Sequence, residues 1–317
     1  ANGQPKDMLL KVGESFALNN ASGTGPFIVT KREHNIVLEM KRNENYWDKN
    51  SPGNVTKFIL TPIKENATRV AALLSGDVDF ISPVPPQDFS RIESDSKVKL
   101  VTINGGRIIT FQMNQNRVEA FKDARVRLAI AYAVNNVGIV KKIMKGKAMA
   151  AAQQSPPGYF GHNENLKPRY DLNKAKALLK AAGYANGFEI SMMAPNNRYV
   201  NDAKIAEATA QMLGKIGIKV NLKTMPKAQY WPEFDNRAAD MMMIGWHSDT
   251  EDSGNFTEFL AMCPDADTGY GQYNGGNYCN KKVDELTMMA QSETNLEKRA
   301  GYLKEIEHIL FNEAAFI

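Results

Sequence analysis

The chain opens on strand-like spacing and turns helical. SGTGPFIVT (22–30) reads as a turn followed by a strand. NIVLEMKRN (35–43) alternates apolar and polar positions at period two, the signature of a half-buried strand, and VTKFILTPI (55–63) reads as another strand. A loop of Asn, Pro and Gly separates them. In ENATRVAALLSGDVDF, Ala67, Val70, Ala71 and Leu74 fall at helical spacing, and Gly76 supplies a C-terminal stop. SPVPPQDFSRI (82–92) is irregular, KVKLVTING (97–105) predicts another strand, and Gly105-Gly106 predicts a bend before RIITFQMN. The first twenty or so residues carry little pattern and predict a loosely held segment.

Downstream the periods alternate. DARVRLAIAYAVN predicts a helix burying Val126, Ala129, Ile130, Ala133 and Val134, and DLNKAKALLKAAG a helix capped by Asp171 and closed by Gly183. Residues 188–246 then read strand (FEISMM), helix (NDAKIAEATAQMLGKIG), strand (IKVNLKTM), helix (KAQYWPEFDNR, interrupted at Pro232) and apolar strand (ADMMMIGW). This βαβαβ order predicts a parallel sheet clothed by helices, an α/β fold. Right-handed crossovers bring the carboxyl ends of all three strands to one edge, where open α/β sheets take their ligands. The loops there, APNNRYV (194–200) and HSDTEDSGNF (247–256), carry Arg198, Tyr199, Trp246, His247, Asp249 and Asp252. Arg198 suits a carboxylate, Asp249 an ammonium and Trp246 an apolar side chain, a set matching a short peptide. The alternative is a group of solvated loop charges. Tyr199 and Tyr230 are candidates to line the pocket. The run Met241–Met243 is either core filling or an adaptable apolar pocket.

Composition narrows the classes. The 317 residues suffice for two domains, and 43% hydrophobic with 23% charged residues is an ordinary globular balance. The net charge of +4 is spread among interspersed signs, which argues against nucleic acid as a partner. No apolar run approaches the roughly 18 residues that a spanning helix needs. No signal peptide is visible at residue 1, so the chain reads as cytoplasmic, as mature and processed, or as a piece of something longer. The two cysteines, Cys263 and Cys279, flank a polar, Gly-rich loop. They are either a disulfide, which points to an oxidising compartment, or two unpaired thiols. His34, His162, His247 and His308 show no ligand spacing, so no metal or cofactor is expected. No GxSxG, HExxH, P-loop or GxGxxG occurs in context, and neighbouring His247, Ser248 and Asp249 cannot form a triad on an extended loop. An enzyme is not expected.

Several stretches in order resemble one family. GTGPF (23–27), RNENYWDKNSPGNV (42–55), ATRVAALLSGDVDFI (67–81), FQMN with FKDARVRLAIAYAVN (111–135), DLNKAKALLKAAGY (171–184), IGIKVNLKTM (216–225) and MMMIGWHSDTEDSGNF (241–256) are similar to the bacterial extracellular solute-binding proteins of family 5. The family includes the dipeptide- and oligopeptide-binding components of ABC importers. The resemblance implies a type II periplasmic-binding-protein-like α/β fold of two lobes hinged near residues 105–112. Residues 1–108 would be part of an incomplete lobe one and 109–317 lobe two. It implies a monomeric periplasmic or extracytoplasmic protein that captures peptides and delivers them to a membrane permease. Family members for nickel complexes, haem, opines and oligosaccharides keep other solutes open. It assigns the peptide ammonium to Asp249, with Asp252 as a second acidic candidate, and the carboxylate to Arg198. It pairs Cys263 with Cys279, as in the dipeptide-binding branch. It also implies that this chain is a fragment, with further lobe-one sequence before residue 1 and after Ile317.

Overall fold

The computed structural model describes residues 20–51 and 53–317. The expectation for the first nineteen positions therefore lies outside the described residues. The chain divides into two compact units, one ending at Ile81 and the other spanning Ser82–Ile317.

The first unit carries an antiparallel sheet in the order β1 (Phe27–Glu33), β2 (Val37–Arg42), β3 (Lys57–Leu60). The β1–β2 register runs from Phe27 opposite Arg42 to Glu33 opposite Val37, with an irregularity between Val29 and Lys31. Asn35 turns the hairpin at φ 61, a left-handed conformation that asparagine tolerates. Helix α1 (Asn66–Ser75) follows and stops where the sequence predicts: Gly76 sits at φ 83, and the amides of Gly76 and Asp77 close on the carbonyls of Leu73 and Ala72. Of the four positions expected inward on this helix only Val70 is buried; Ala67 and Ala71 are exposed and Leu74 is half-buried. Phe58, Ile59 and Leu60 on β3 are exposed as well.

The second unit is built on a four-stranded sheet. Its strands are β4 (Arg107–Met113), β5 (Phe188–Pro195), β6 (Ile218–Met225) and β7 (Met241–His247), in the order β4-β7-β5-β6. The predicted strands of the βαβαβ run are all present, and β5 pairs parallel with both β6 and β7. The sequence pattern does not reveal β4, which lies antiparallel to β7 from Arg107 opposite His247 to Met113 opposite Met241. The strand expected over 97–105 does not form: those residues carry no regular structure, and Val101 and Ile103 are exposed. Alternation alone makes no strand without a partner to bond, and pairing starts only where β4 meets β7.

Because β7 is central, both its faces are covered. Two short helices, α2 (Phe89–Glu93) and α4 (Asn136–Lys142), stand beside the longer ones. Met241 and Met243 enter one core with Phe111, Ile190 and Ile218, against helices α3 (Ala124–Ala133), α5 (Leu172–Ala181) and α6 (Asp202–Gly214). Met242 and Ile244 enter another with Phe234 of α7 (Lys227–Asp235) and Phe256 and Leu260 of α8 (Ser253–Leu260). The methionine run is therefore core filling, buried on two sides. Pro232 lies within α7 rather than interrupting it, although it withholds the amide that the carbonyl of Ala228 would accept in a regular helix. A third cluster joins α9 (Lys281–Ser292) and α10 (Leu296–Asn312). Side-chain caps from Asp123, Asp171, Asp252, Asn280 and Asn295 start α3, α5, α8, α9 and α10; only Asp171 is among the caps predicted. Backbone bonds between Phe111 and Ile317, in both directions, lay the last residues along the outer edge of β4.

Two features of this unit have measurable consequences. Cys263 and Cys279 are disulfide-bonded and close a loop with a sequence separation of 16. Replacing both with serine should lower unfolding free energy by about 3 kcal/mol, the chain-entropy contribution of a loop of this size. Equal denaturation midpoints for the oxidised and doubly substituted proteins would refute this. Glu307 of α10 is fully buried, its two carboxylate oxygens accepting the amides of Gln154 and Ser155 at 3.2 and 3.1 Å. Burial outweighs these donors and pushes its carboxyl up from 4.5 to about 7. The folded state thus holds a proton that the unfolded chain has released, so this contribution to stability is full below pH 4.5 and is lost as pH rises to about 7. Glu307→Gln, which cannot ionise, should gain on the wild type by the order of 3 kcal/mol across that window in pH-dependent denaturation. A difference that stays flat with pH would contradict the assignment.

Candidate functional site

Beyond Met242, β7 parts from β5: the β5–β7 ladder holds only Met192 with Met241 and Met193 with Met242. The backbone groups of β7 that face β5 then need other partners. Two tyrosine hydroxyls supply them. Tyr230 Oη donates to the Met243 carbonyl at 2.6 Å. Tyr199 Oη accepts the Gly245 amide at 2.8 Å and donates to the Gly245 carbonyl at 3.3 Å. Burial raises the pKa of both phenols, so both stay protonated donors. Position 245 must be glycine for this approach: a Cβ there would lie 2.7 Å from Tyr199 Cε1 and 2.6 Å from Ile109 Cδ1. Of the two tyrosines, Tyr230 is fully buried and packs beneath the site, and Tyr199 reaches its surface.

The gap left by the parting strands opens a concavity of about 670 Å³ at the carboxyl end of β7. Arg198, Tyr199, Trp246, His247 and Asp249 all line it. Arg198, Tyr199 and Trp246 have identifiable supports. Asp202, buried at the start of α6, accepts the amides of Arg198 and Tyr199 at 2.8 and 2.9 Å and folds their loop. The Arg198 guanidinium lies 4.9 Å from the centroid of the Tyr199 ring. Trp246 packs between Phe259 and Tyr273, with centroids 5.2 and 4.9 Å away, and its indole N–H donates to Asn255 Oδ1 at 2.8 Å. Asp249 is 99% exposed, and its only ion-pair contact among the described residues is His247 Nδ1 at 3.4 Å.

Asp252 stands apart from the lining. Its carboxylate accepts the Gly254 amide at 2.7 Å as the cap of α8 and meets Arg299 Nη1 at 2.5 Å. Ser248 is fully buried, with Oγ 3.1 Å from Thr250 Oγ1 and accepting the Asp252 amide at 3.3 Å. The His247-Ser248-Asp249 succession is thus a hydrogen-bonded turn, and among the described residues the partners of the serine hydroxyl are Thr250 and the Asp252 amide.

Other lining residues escaped sequence reasoning. Arg107 begins β4 opposite His247, lies 6.0 Å from the Tyr199 ring and donates from Nη1 to the Gly245 carbonyl at 3.2 Å. Trp231 and Asp235 enter from α7, spaced four apart and so on one helical face. Gln272 and Tyr273 come from inside the disulfide-closed loop. Gln112 of β4 fastens that loop: Nε2 donates to the Tyr273 carbonyl at 3.0 Å and Oε1 accepts the Gly275 amide at 2.7 Å. The wall thus combines two guanidiniums, two carboxylates and an aromatic face, an arrangement able to hold a small zwitterion with an apolar side chain.

The comparisons with known proteins agree with the fold. Residues 7–267 match the model of the bacterial extracellular solute-binding proteins, family 5. The chain belongs to this family. It is 29% identical over 98% of its length to heme-binding protein A of Haemophilus influenzae, and 28% identical over 97% to the dipeptide-binding protein of Escherichia coli. It covers 56% and 57% of those two proteins, so it spans little more than half the length of the curated relatives it matches. Among solved structures it resembles the ABC transporter-associated periplasmic binding protein DppA of Helicobacter pylori, determined with the peptide STSA. The TM-score is 0.86 at 25% identity, covering 99% of this chain and 61% of that one. The fold is accordingly that of the type II periplasmic binding proteins, as the family resemblance implies.

The tyrosine clamp is testable. Tyr199→Phe leaves the buried Gly245 amide without its acceptor and should cost about 1–3 kcal/mol of stability in denaturant unfolding. Gly245→Ala should be destabilised similarly, because its Cβ forces the ring away. A loss below roughly 0.5 kcal/mol in both, the range of an ordinary surface substitution, would show that the clamp is dispensable.

Proposed function

We propose that the protein to which this chain belongs is the substrate-binding component of an ABC importer, capturing short peptides outside the cytoplasmic membrane and delivering them to the permease. The observation that carries this reading is the placing of Arg198 and Asp249, opposite in sign, on one concavity with Trp246 and Tyr273 as its apolar wall. Arg198 takes the peptide carboxylate, Asp249 its ammonium, and the aromatic wall covers a side chain. A charge-assisted bond of either kind contributes about 1.5–3 kcal/mol, enough for the two ends to fix the ligand's orientation. Family membership supports the transport role, and the names of the Escherichia coli and Helicobacter pylori relatives support peptide as the solute. On this reading the protein is a monomer that binds and releases its ligand unchanged. The lobe assignment, 1–108 and 109–317, and the periplasmic location belong to the same proposal. No helix of the described residues is long and apolar enough to cross a membrane.

Haem is the second reading. The relative from Haemophilus influenzae carries haem binding in its name, and the aromatic wall of Trp231, Trp246 and Tyr273 suits a flat apolar ring.

Calorimetry on the full-length protein with di-, tri- and tetrapeptides, beside haem and a nickel–histidine complex, separates the readings. Di- or tripeptides should bind saturably and without hydrolysis; no peptide binding would end the peptide reading, and saturable haem binding in its place would establish the second. Asp249→Ala should weaken peptide binding by roughly tenfold or more, the worth of one charged contact. Asp252→Ala should instead lower stability by about 0.5–2 kcal/mol through its lost cap, with affinity little changed. Unchanged affinity in Asp249→Ala would remove that residue from the site.

A further inference from the structure

Arg107 has no role in the reading above, yet it is placed as carefully as Arg198. Both guanidiniums lie against one ring, that of Tyr199, at 6.0 and 4.9 Å from its centroid, and both line the concavity. That ring is pinned to Gly245 by two hydrogen bonds, and Arg107 donates to the same Gly245 carbonyl, so cations from two different elements meet at one anchored ring. Arg117, Arg125, Arg127 and Arg299 each meet a carboxylate in an ion pair. Neither Arg107 nor Arg198 reaches a carboxylate within 4.0 Å. The acidic members of the wall enter elsewhere, Asp235 from the end of α7 and Asp249 from the loop after β7. Both side chains are exposed on the concavity, and a ligand that brings two anionic groups to this side of it meets a separate cation for each.

We infer that Arg107 is a specificity-determining residue that selects peptides ending in aspartate or glutamate. The inference rests on the peptide reading of the site. A dipeptide with a neutral side chain brings one carboxylate, which Arg198 takes. A C-terminal acidic residue brings a second carboxylate, separated from the first by only a few bonds, and Arg107 takes it across the Tyr199 ring. An acidic residue at the amino end carries its charge toward Asp249 instead, where it is repelled. The selectivity is therefore directional: it depends on the position of the acidic side chain, and net charge alone does not produce it.

The experiment is calorimetry on the full-length protein with Ala-Gln, Ala-Glu and Glu-Ala, in the wild type and in Arg107→Ala. The wild type should bind Ala-Glu tighter than Ala-Gln by roughly tenfold or more, as one added charged contact provides, and Glu-Ala no tighter than Ala-Gln. Arg107→Ala should remove the preference, bringing Ala-Glu to the affinity of Ala-Gln. Equal wild-type affinity for Ala-Glu and Ala-Gln overturns the inference without any variant. So does a preference for Glu-Ala equal to that for Ala-Glu, which signals a diffuse positive field, or a variant that weakens all three peptides alike. In each of these cases the peptide reading survives; binding of none of the three peptides to the wild type overturns both.

Discussion

A central strand must find a partner for every backbone group along both its edges, and β7 has a parallel neighbour for only its first residues. This shortfall shapes the second unit. On one side β4 pairs with β7 along its whole length. On the other, the hydroxyls of Tyr230 and Tyr199 take over the Met243 carbonyl and both backbone groups of Gly245. A tyrosine does this without filling the space a strand would fill. The sheet stays bonded while its carboxyl end opens, and that opening is the concavity. The same two hydrogen bonds fix the ring against which Arg198 and Arg107 rest.

The remaining walls are tied to β4. Its first residue contributes Arg107, and its side chain at 112 binds the loop closed by Cys263 and Cys279. That loop delivers Tyr273 to the face of Trp246. Tertiary hydrogen bonds and the disulfide therefore restrict the aromatic wall before any ligand arrives, which reduces the ordering cost of binding. The loop carrying Arg198 is restrained by the buried carboxylate of Asp202.

Local periodicity made much of this legible. The βαβαβ order of residues 188–246 follows from spacing alone, as does the edge on which Arg198, Tyr199, Trp246 and Asp249 gather. What spacing could not reveal is long-range pairing. The strand expected over 97–105 has the right alternation and no partner, whereas RIITFQM becomes β4 because β7, 128 to 140 positions later, bonds it. Arg107 escaped notice for the same reason: in sequence it follows two glycines, and only the antiparallel register sets it beside His247. The burial of Tyr230 and the exposure of Tyr199 likewise follow from where β7 leaves β5. The expected inward face of α1 shows the opposite failure, since helical spacing names candidate buried positions but not what covers them.

The two acidic candidates of the 247–256 loop show how local structure decides which charges reach a ligand. Asp249 and Asp252 are three residues apart and indistinguishable by composition. Asp252 falls at the cap position of α8, where an unpaired amide and the positive end of the helix attract it, and Arg299 completes its neutralisation. Asp249 falls on the turn before, where Thr250 and the Asp252 amide already satisfy Ser248, and among the described residues its ion-pair contact is with His247. Arg299 and Arg198 divide in the same way, one spent on the Asp252 carboxylate and the Ala290 carbonyl, the other left beside an aromatic ring. A charge that the fold has already neutralised contributes to stability, and one left over at a concave surface carries its electrostatic energy to a ligand. By that criterion Arg107, which meets no carboxylate within 4.0 Å among the described residues, groups with Arg198 and Asp249 rather than with the structural ion pairs.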